Sequence, residues 1–146
     1  MPTSHIVQLL IAFGLLACLF SFWQGGTAER IGAALVLASI AFSFFGGKLL
    51  PKDVFLIAQM IGDATVALGL LALTLRYASP WLGGAMLLYA AQFALHSFYF
   101  VTQRPNDLFH AMANNINFAL VIWSVIIGTV VAWSKRRQRA RDATKT

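Results

Sequence analysis

The residue on which any chemistry of this 146-residue chain must turn is Asp63. It lies in the run Gln59-Met60-Ile61-Gly62-Asp63-Ala64-Thr65, inside a stretch from Val54 to Leu75 that holds no other charge. A second apolar stretch carries Tyr89, Gln92, His96 and Tyr99. Their spacings of three, four and three place them within an arc of about 80° on a helix. Asn114, Asn115 and Asn117 enter a third apolar stretch. A carboxyl and an imidazole buried side by side can pass a proton or hold a cationic or hydroxylated ligand. The same groups can also do no more than bond one helix to another, at about 0.6 kcal/mol per hydrogen bond in a membrane.

The rest of the chain says which solvent these groups face. Hydrophobic residues make up 59% of it and charged residues 11%, against about 45–50% and about 25% in soluble domains. So small a chain has too little interior to take in that much apolar surface. The composition excludes a soluble enzyme, a disordered chain and a disulfide scaffold; Cys18 is the only cysteine. No Gly-x-Ser-x-Gly, His-Glu-x-x-His, phosphate loop or dinucleotide fingerprint occurs. No basic stripe interleaved with aromatics suggests a nucleic-acid partner. His96 is the only histidine within an apolar stretch, which leaves haem without a second axial imidazole at comparable depth. A superficial metal site from His5, Asp53, Asp107 and His110 has only the i, i+3 pair Asp107–His110 to recommend it. The expectation is therefore no metal and no cofactor.

A membrane helix needs about 20 mostly apolar residues. Five stretches qualify: Ile6 to Trp23, Ile31 to Gly46, Val54 to Leu75, Trp81 to Val101 and Ile116 to Trp133. Between them stand Gly25-Gly26, Gly46-Gly47 with Pro51, Pro80 and Pro105, the residues that end helices. The expected fold is all-α, a polytopic bundle of five transmembrane helices over 1–134 with a basic tail at 135–146. Orientation follows the Lys and Arg of short loops. The tail, with Arg30 and Arg76, gives eight basic residues on one side, against Lys48, Lys52 and Arg104 on the other. That balance predicts a cytoplasmic C-terminus and an N-terminus outside. Trp23, Tyr77, Trp81 and Trp133 would then anchor the inner boundary. Lys135, Arg136, Arg137, Arg139 and Arg141 would meet anionic lipid, at about 1 kcal/mol each. Leu15-Leu16-Ala17-Cys18 loosely matches the box before a lipid-modified cysteine. Met1 to His5 lacks the basic residues of a signal peptide, however, and a buried thiol is the reading taken.

Spans three and four, joined at Pro80, should pack antiparallel. Counting inward from their outer ends sets Gln59 level with His96 and Asp63 level with Gln92, with Asn114, Asn115 and Asn117 closing the cluster from a third side. Gly62, Thr65 and Gly69 on one helix, and Gly84, Ala90, Ala91 and Ala94 on the other, would allow close approach. Ser21, Ser39 and Ser43 are expected to bond the carbonyl four residues back.

The pattern Glu29-Arg30 with its alanine-rich span, then Asp63, Leu71-Ala72-Leu73, Arg76, Trp81, Gln92 and His96, resembles a group of uncharacterised small proteobacterial integral membrane proteins. The likeness extends over residues 28 to 134, and the group has four or five helices. It implies a bacterial inner membrane and carries no activity. The polar segment from Thr102 to Asn114 departs from it. The leading expectation is a non-enzymatic accessory or scaffold subunit, associating with itself or within a larger membrane complex. The alternative is a small transporter or ligand-binding protein using Asp63, Gln92 and His96.

Overall fold

The computed structural model describes residues 5–105 and 107–144; Pro2 and Lys145 lie outside them. Five helices follow one another: α1 (His5–Gln24), α2 (Thr27–Leu49), α3 (Lys52–Tyr77), α4 (Pro80–Val101) and α5 (Leu108–Ala143). Each is long and apolar enough to cross a membrane. Among the described residues there is no strand. The fold is the expected all-α membrane bundle.

The glycine and proline punctuation ends the helices as its backbone chemistry requires. Gly25 and Gly26 separate α1 from α2, and a Cβ on Gly25 would stand 2.3 Å from the Ser21 carbonyl oxygen. Ala78 closes α3 in the left-handed region (φ 48°, ψ 40°), its N–H bonding the Thr74 carbonyl at 2.9 Å. Ser79 then leads to Pro80 at the start of α4, where a missing N–H costs nothing. This tight turn fixes how α3 and α4 lie against each other.

The helices meet through seams of three-four spacing. Leu82, Ala85, Tyr89, Gln92, His96 and Tyr99 are the buried face of α4; Asp63, Val66 and Leu70 are that of α3. Such alternation keeps one stripe on a neighbour as the helix turns, in the manner of knobs into holes. The outward faces carry Leu, Ile, Phe and Val in number, among them Leu9, Leu16, Leu68, Leu87 and Ile127. At most 28% of each helix's most apolar window is buried inside the bundle. In water such a surface would drive aggregation; in hydrocarbon it costs nothing.

Two expectations change here. The fifth helix starts at Leu108 rather than Ile116, because Asp107 caps it by accepting the His110 N–H at 2.8 Å. The polar segment from Thr102 to Asn114 is thus helical from Leu108 on. The same helix continues to Ala143, so the basic tail is its extension: Lys, Arg, Gln and Ala favour helix, and nothing after Gly128 breaks it. The small residues also face elsewhere. A Cβ on Gly62 would approach Phe42, and one on Gly69 would approach Leu35, both on α2. Ala90, Ala91 and Ala94 are exposed. α3 and α4 meet instead where Gly83 lies beside Thr74 near the turn, and at the polar groups below.

Candidate functional site

The polar residues converge on α4, which packs against both α3 and α5. Asp63, 11 residues into α3, lies roughly 16 Å along it from Lys52. It is 5% exposed, and His96 is 2% exposed. His96 Nδ1 stands 2.7 Å from Asp63 Oδ2, a direct carboxylate–imidazole contact. The other ring nitrogen, Nε2, lies 3.3 Å from Gln92 Nε2. With Nδ1–H donating to the carboxylate of Asp63, Nε2 is left as the acceptor for the Gln92 amide. That amide also donates to Asn114 Oδ1. Asn117 Nδ2 donates to Gln92 Oε1 at 2.7 Å and to the Leu88 carbonyl at 3.1 Å. A chain therefore runs Asp63–His96–Gln92–Asn114/Asn117 across three helices, each group satisfied by the next.

The register differs from expectation. Asp63 meets His96 rather than Gln92, and Gln59, half-buried, makes no side-chain hydrogen bond among the described residues. The reason is the turn. Asp63 lies 16 residues before Ser79 and His96 lies 17 after it, so the two arms of the hairpin bring them level. Counting from the outer ends misplaces them, because α3 has 26 residues and α4 has 22. Among the described residues Asn115 makes no side-chain hydrogen bond, unlike Asn114 and Asn117.

Beyond His96, towards the end of the bundle where α1 begins, a second group continues the line. Tyr99 donates its hydroxyl to Asp107 Oδ1 at 2.7 Å. The His110 ring lies 4.6 Å from that of Tyr99 and 5.5 Å from that of His96, centroid to centroid. His110 Nε2 is buried without a hydrogen-bond partner. The Tyr99 hydroxyl, and then the His110 N–H, hold the Asp107 carboxyl below the usual carboxylate range. No group of three or more His, Cys, Asp or Glu among the described residues is placed to hold a metal ion.

The opposite end carries polar contacts whose pairing was not legible in the sequence. Glu29, 7% exposed, accepts the Gly26 N–H on Oε2 at 2.9 Å and the Trp81 indole N–H on Oε1 at 3.3 Å. The first is half of a capping box, signalled by an acid in the first turn of α2. Trp81 is wedged between α2 and α5, where Cβ atoms on Gly32 and Gly128 would come within 2.7 Å and 2.4 Å of it. It is a spacer between helices. Ser21 does not bond back along its own helix; its hydroxyl meets that of Thr129 at 2.6 Å, tying α1 to α5.

The five tail residues do not act alike. Arg137 stacks on the Trp133 ring at 4.0 Å. Lys135, Arg136 and Arg139 share a stripe of α5 with Gly128 and Ala132 and border a cleft there. Arg141 is exposed farther out. No protein-family profile, curated protein or solved structure matches the chain.

Proposed function

We propose that the protein is a non-enzymatic accessory or scaffold subunit of a bacterial inner membrane. Its N-terminus lies outside, its C-terminus in the cytoplasm, and it works through association with itself or a larger complex. The observation that carries this reading is the closure of the polar chain. Asp63, His96 and Gln92 are all buried and bonded to one another and to Asn114 and Asn117. Asp63, Gln92 and His96 line neither of the two clefts; Asn117, at the end of the chain, borders one of them. Such groups fix helix register and leave no lipid-facing charge, which is their use in a scaffold. The eight-to-three distribution of basic residues supports the orientation.

A second reading has its own observation. The Asp63–His96 contact continues through the unpartnered His110 Nε2 to Tyr99 and Asp107 at the bundle end, a line along which a proton could travel. Reconstitution in liposomes with an entrapped pH dye separates the two. The scaffold reading expects proton flux no faster than in empty liposomes, and Asp63→Asn folding and associating like the parent. Flux that Asp63→Asn abolishes would replace it with the transport reading.

A further inference from the structure

The cleft at the tail end is amphipathic in a way the scaffold reading does not use. It encloses about 520 Å³, within the range of small-molecule sites. Buried Glu29 and half-buried Trp81 line it together with Ile127, Val131 and the exposed Lys135, Arg136 and Arg139; burial sets Glu29 at its floor and the three basic residues at its mouth.

The charges here are unbalanced. Glu29 is more than nine-tenths buried, yet it has no Lys, Arg or His within ion-pair distance among the described residues. Its two hydrogen bonds, from Gly26 and Trp81, use half of about four acceptor positions on a carboxylate. Lys135, Arg136 and Arg139 likewise have no ion-pair partner and no aromatic ring, unlike Arg137. A buried carboxylate without a counter-cation is costly, and three cations lining a mouth repel one another. A single ligand bearing an ammonium group and a phosphate relieves both, the ammonium at the floor and the phosphate at the mouth.

The surroundings select which molecule. The wall above Glu29 is apolar and opens on the outward face of α5, where Ile127 is 55% exposed and Val131 46% exposed. That face suits an acyl chain. We propose that the cleft seats one aminophospholipid, its primary ammonium donating to Glu29, its phosphate held by Lys135, Arg136 and Arg139, and one acyl chain lying along Ile127 and Val131. Gly128 and Gly32 belong to the same construction. Only glycine lets the indole lie between α2 and α5 and present its N–H to Glu29. The proposal rests on the five helices being membrane spans, which site-directed labelling tests on its own.

Native mass spectrometry of the full chain, released from nanodiscs of defined composition, tests it. The probes are three lipids with identical acyl chains and ethanolamine, choline or glycerol headgroups, together with inorganic phosphate alone. One ethanolamine lipid should remain bound, retained about tenfold better than the choline lipid, whose trimethylated nitrogen cannot donate a hydrogen bond; a charge-assisted bond is worth a factor of that order. Glu29→Gln should erase that preference. Lys135→Gln/Arg136→Gln/Arg139→Gln, confined to exposed side chains, should weaken retention of ethanolamine and choline lipids alike. It keeps the test decisive should Glu29→Gln fail to fold. Equal retention of ethanolamine and choline lipids by the parent would overturn the proposal. So would stronger retention of the glycerol lipid, or phosphate binding without lipid, either of which would mean that the basic mouth acts alone.

Discussion

At the scale of single residues, the Asp63–His96 contact decides whether the interior is one unit. Deleting one member of a buried ionisable pair strands the other, at about 3–5 kcal/mol in soluble proteins; bonds between membrane helices average nearer 0.6 kcal/mol. Asp63→Ala and His96→Ala should each destabilise the bundle, and together by less than their sum, with a coupling of about 0.5–3 kcal/mol. Unfolding in mixed micelles measures it; strict additivity would show that the two side chains do not interact. Asp63→Asn, which keeps an acceptor for the imidazole, should cost less than Asp63→Ala. That Asp63, Gln92, His96 and Asn117 belong to one cluster was legible, because an uncharged stretch makes a lone acid conspicuous and lipid makes it expensive; among the described residues Gln59 and Asn115 do not join it. Which partner each takes was not legible, since that depends on the turn. The Ser21–Thr129 and Glu29–Trp81 contacts were hidden for another reason: they join helices far apart in sequence, and no spacing reports them.

At the scale of elements, the α3–α4 turn and the start of α5 are the parts that can be tuned. Ala78 holds a left-handed conformation at φ 48°, which costs a residue with a Cβ about 1–2 kcal/mol and glycine little. Ala78→Gly should therefore stabilise the hairpin by up to about 1 kcal/mol without moving Asp63 from His96. A lower stability would mean that the turn is not the strained point. Gly128→Ala drives a Cβ to 2.4 Å from Trp81 and should cost about 1–3 kcal/mol, as overpacking does. The additional substitution Trp81→Leu should recover part of the loss, read by the same unfolding experiment. Asp107 makes the first turn of α5 sensitive to acid. Its hydrogen bonds from Tyr99 and His110 depress its carboxyl, so its contribution is complete at neutral pH. It disappears as the pH falls below the ordinary carboxylate range and through the lowered value. Amide exchange at residues 108–111, corrected for intrinsic rates, should speed up over that interval, and Asp107→Asn should remove the step. The number and order of the spans were legible from apolar runs, whereas the ends of α2 and α5, set by capping and by helix-favouring polar residues, were not. The faces were not: lipid is as apolar as a neighbouring helix, so the outward side gives no contrast by which to choose the inward one. For that reason Gly62 and Gly69 were assigned to α4 when they face α2.

At the scale of the whole molecule, the bundle is held by seams of modest polar and small-residue contacts, with its greatest apolar area turned outward. α5, at 36 residues and about 54 Å, outruns the roughly 30 Å hydrocarbon core. It carries the basic stripe beyond the other helices, where it lines the tail-end cleft. Five crossings place His5 and Ala143 at opposite faces, with a closed polar chain between them. Thiol labelling by an impermeant maleimide, in a Cys18→Ala background, tests the burial and the crossing together. Asp53→Cys and Arg139→Cys should react from opposite faces only, while Val66→Cys, one turn from Asp63 and 7% exposed, should react from neither. Labelling of Val66→Cys in the folded protein, or of Asp53→Cys and Arg139→Cys from the same face, would contradict the account.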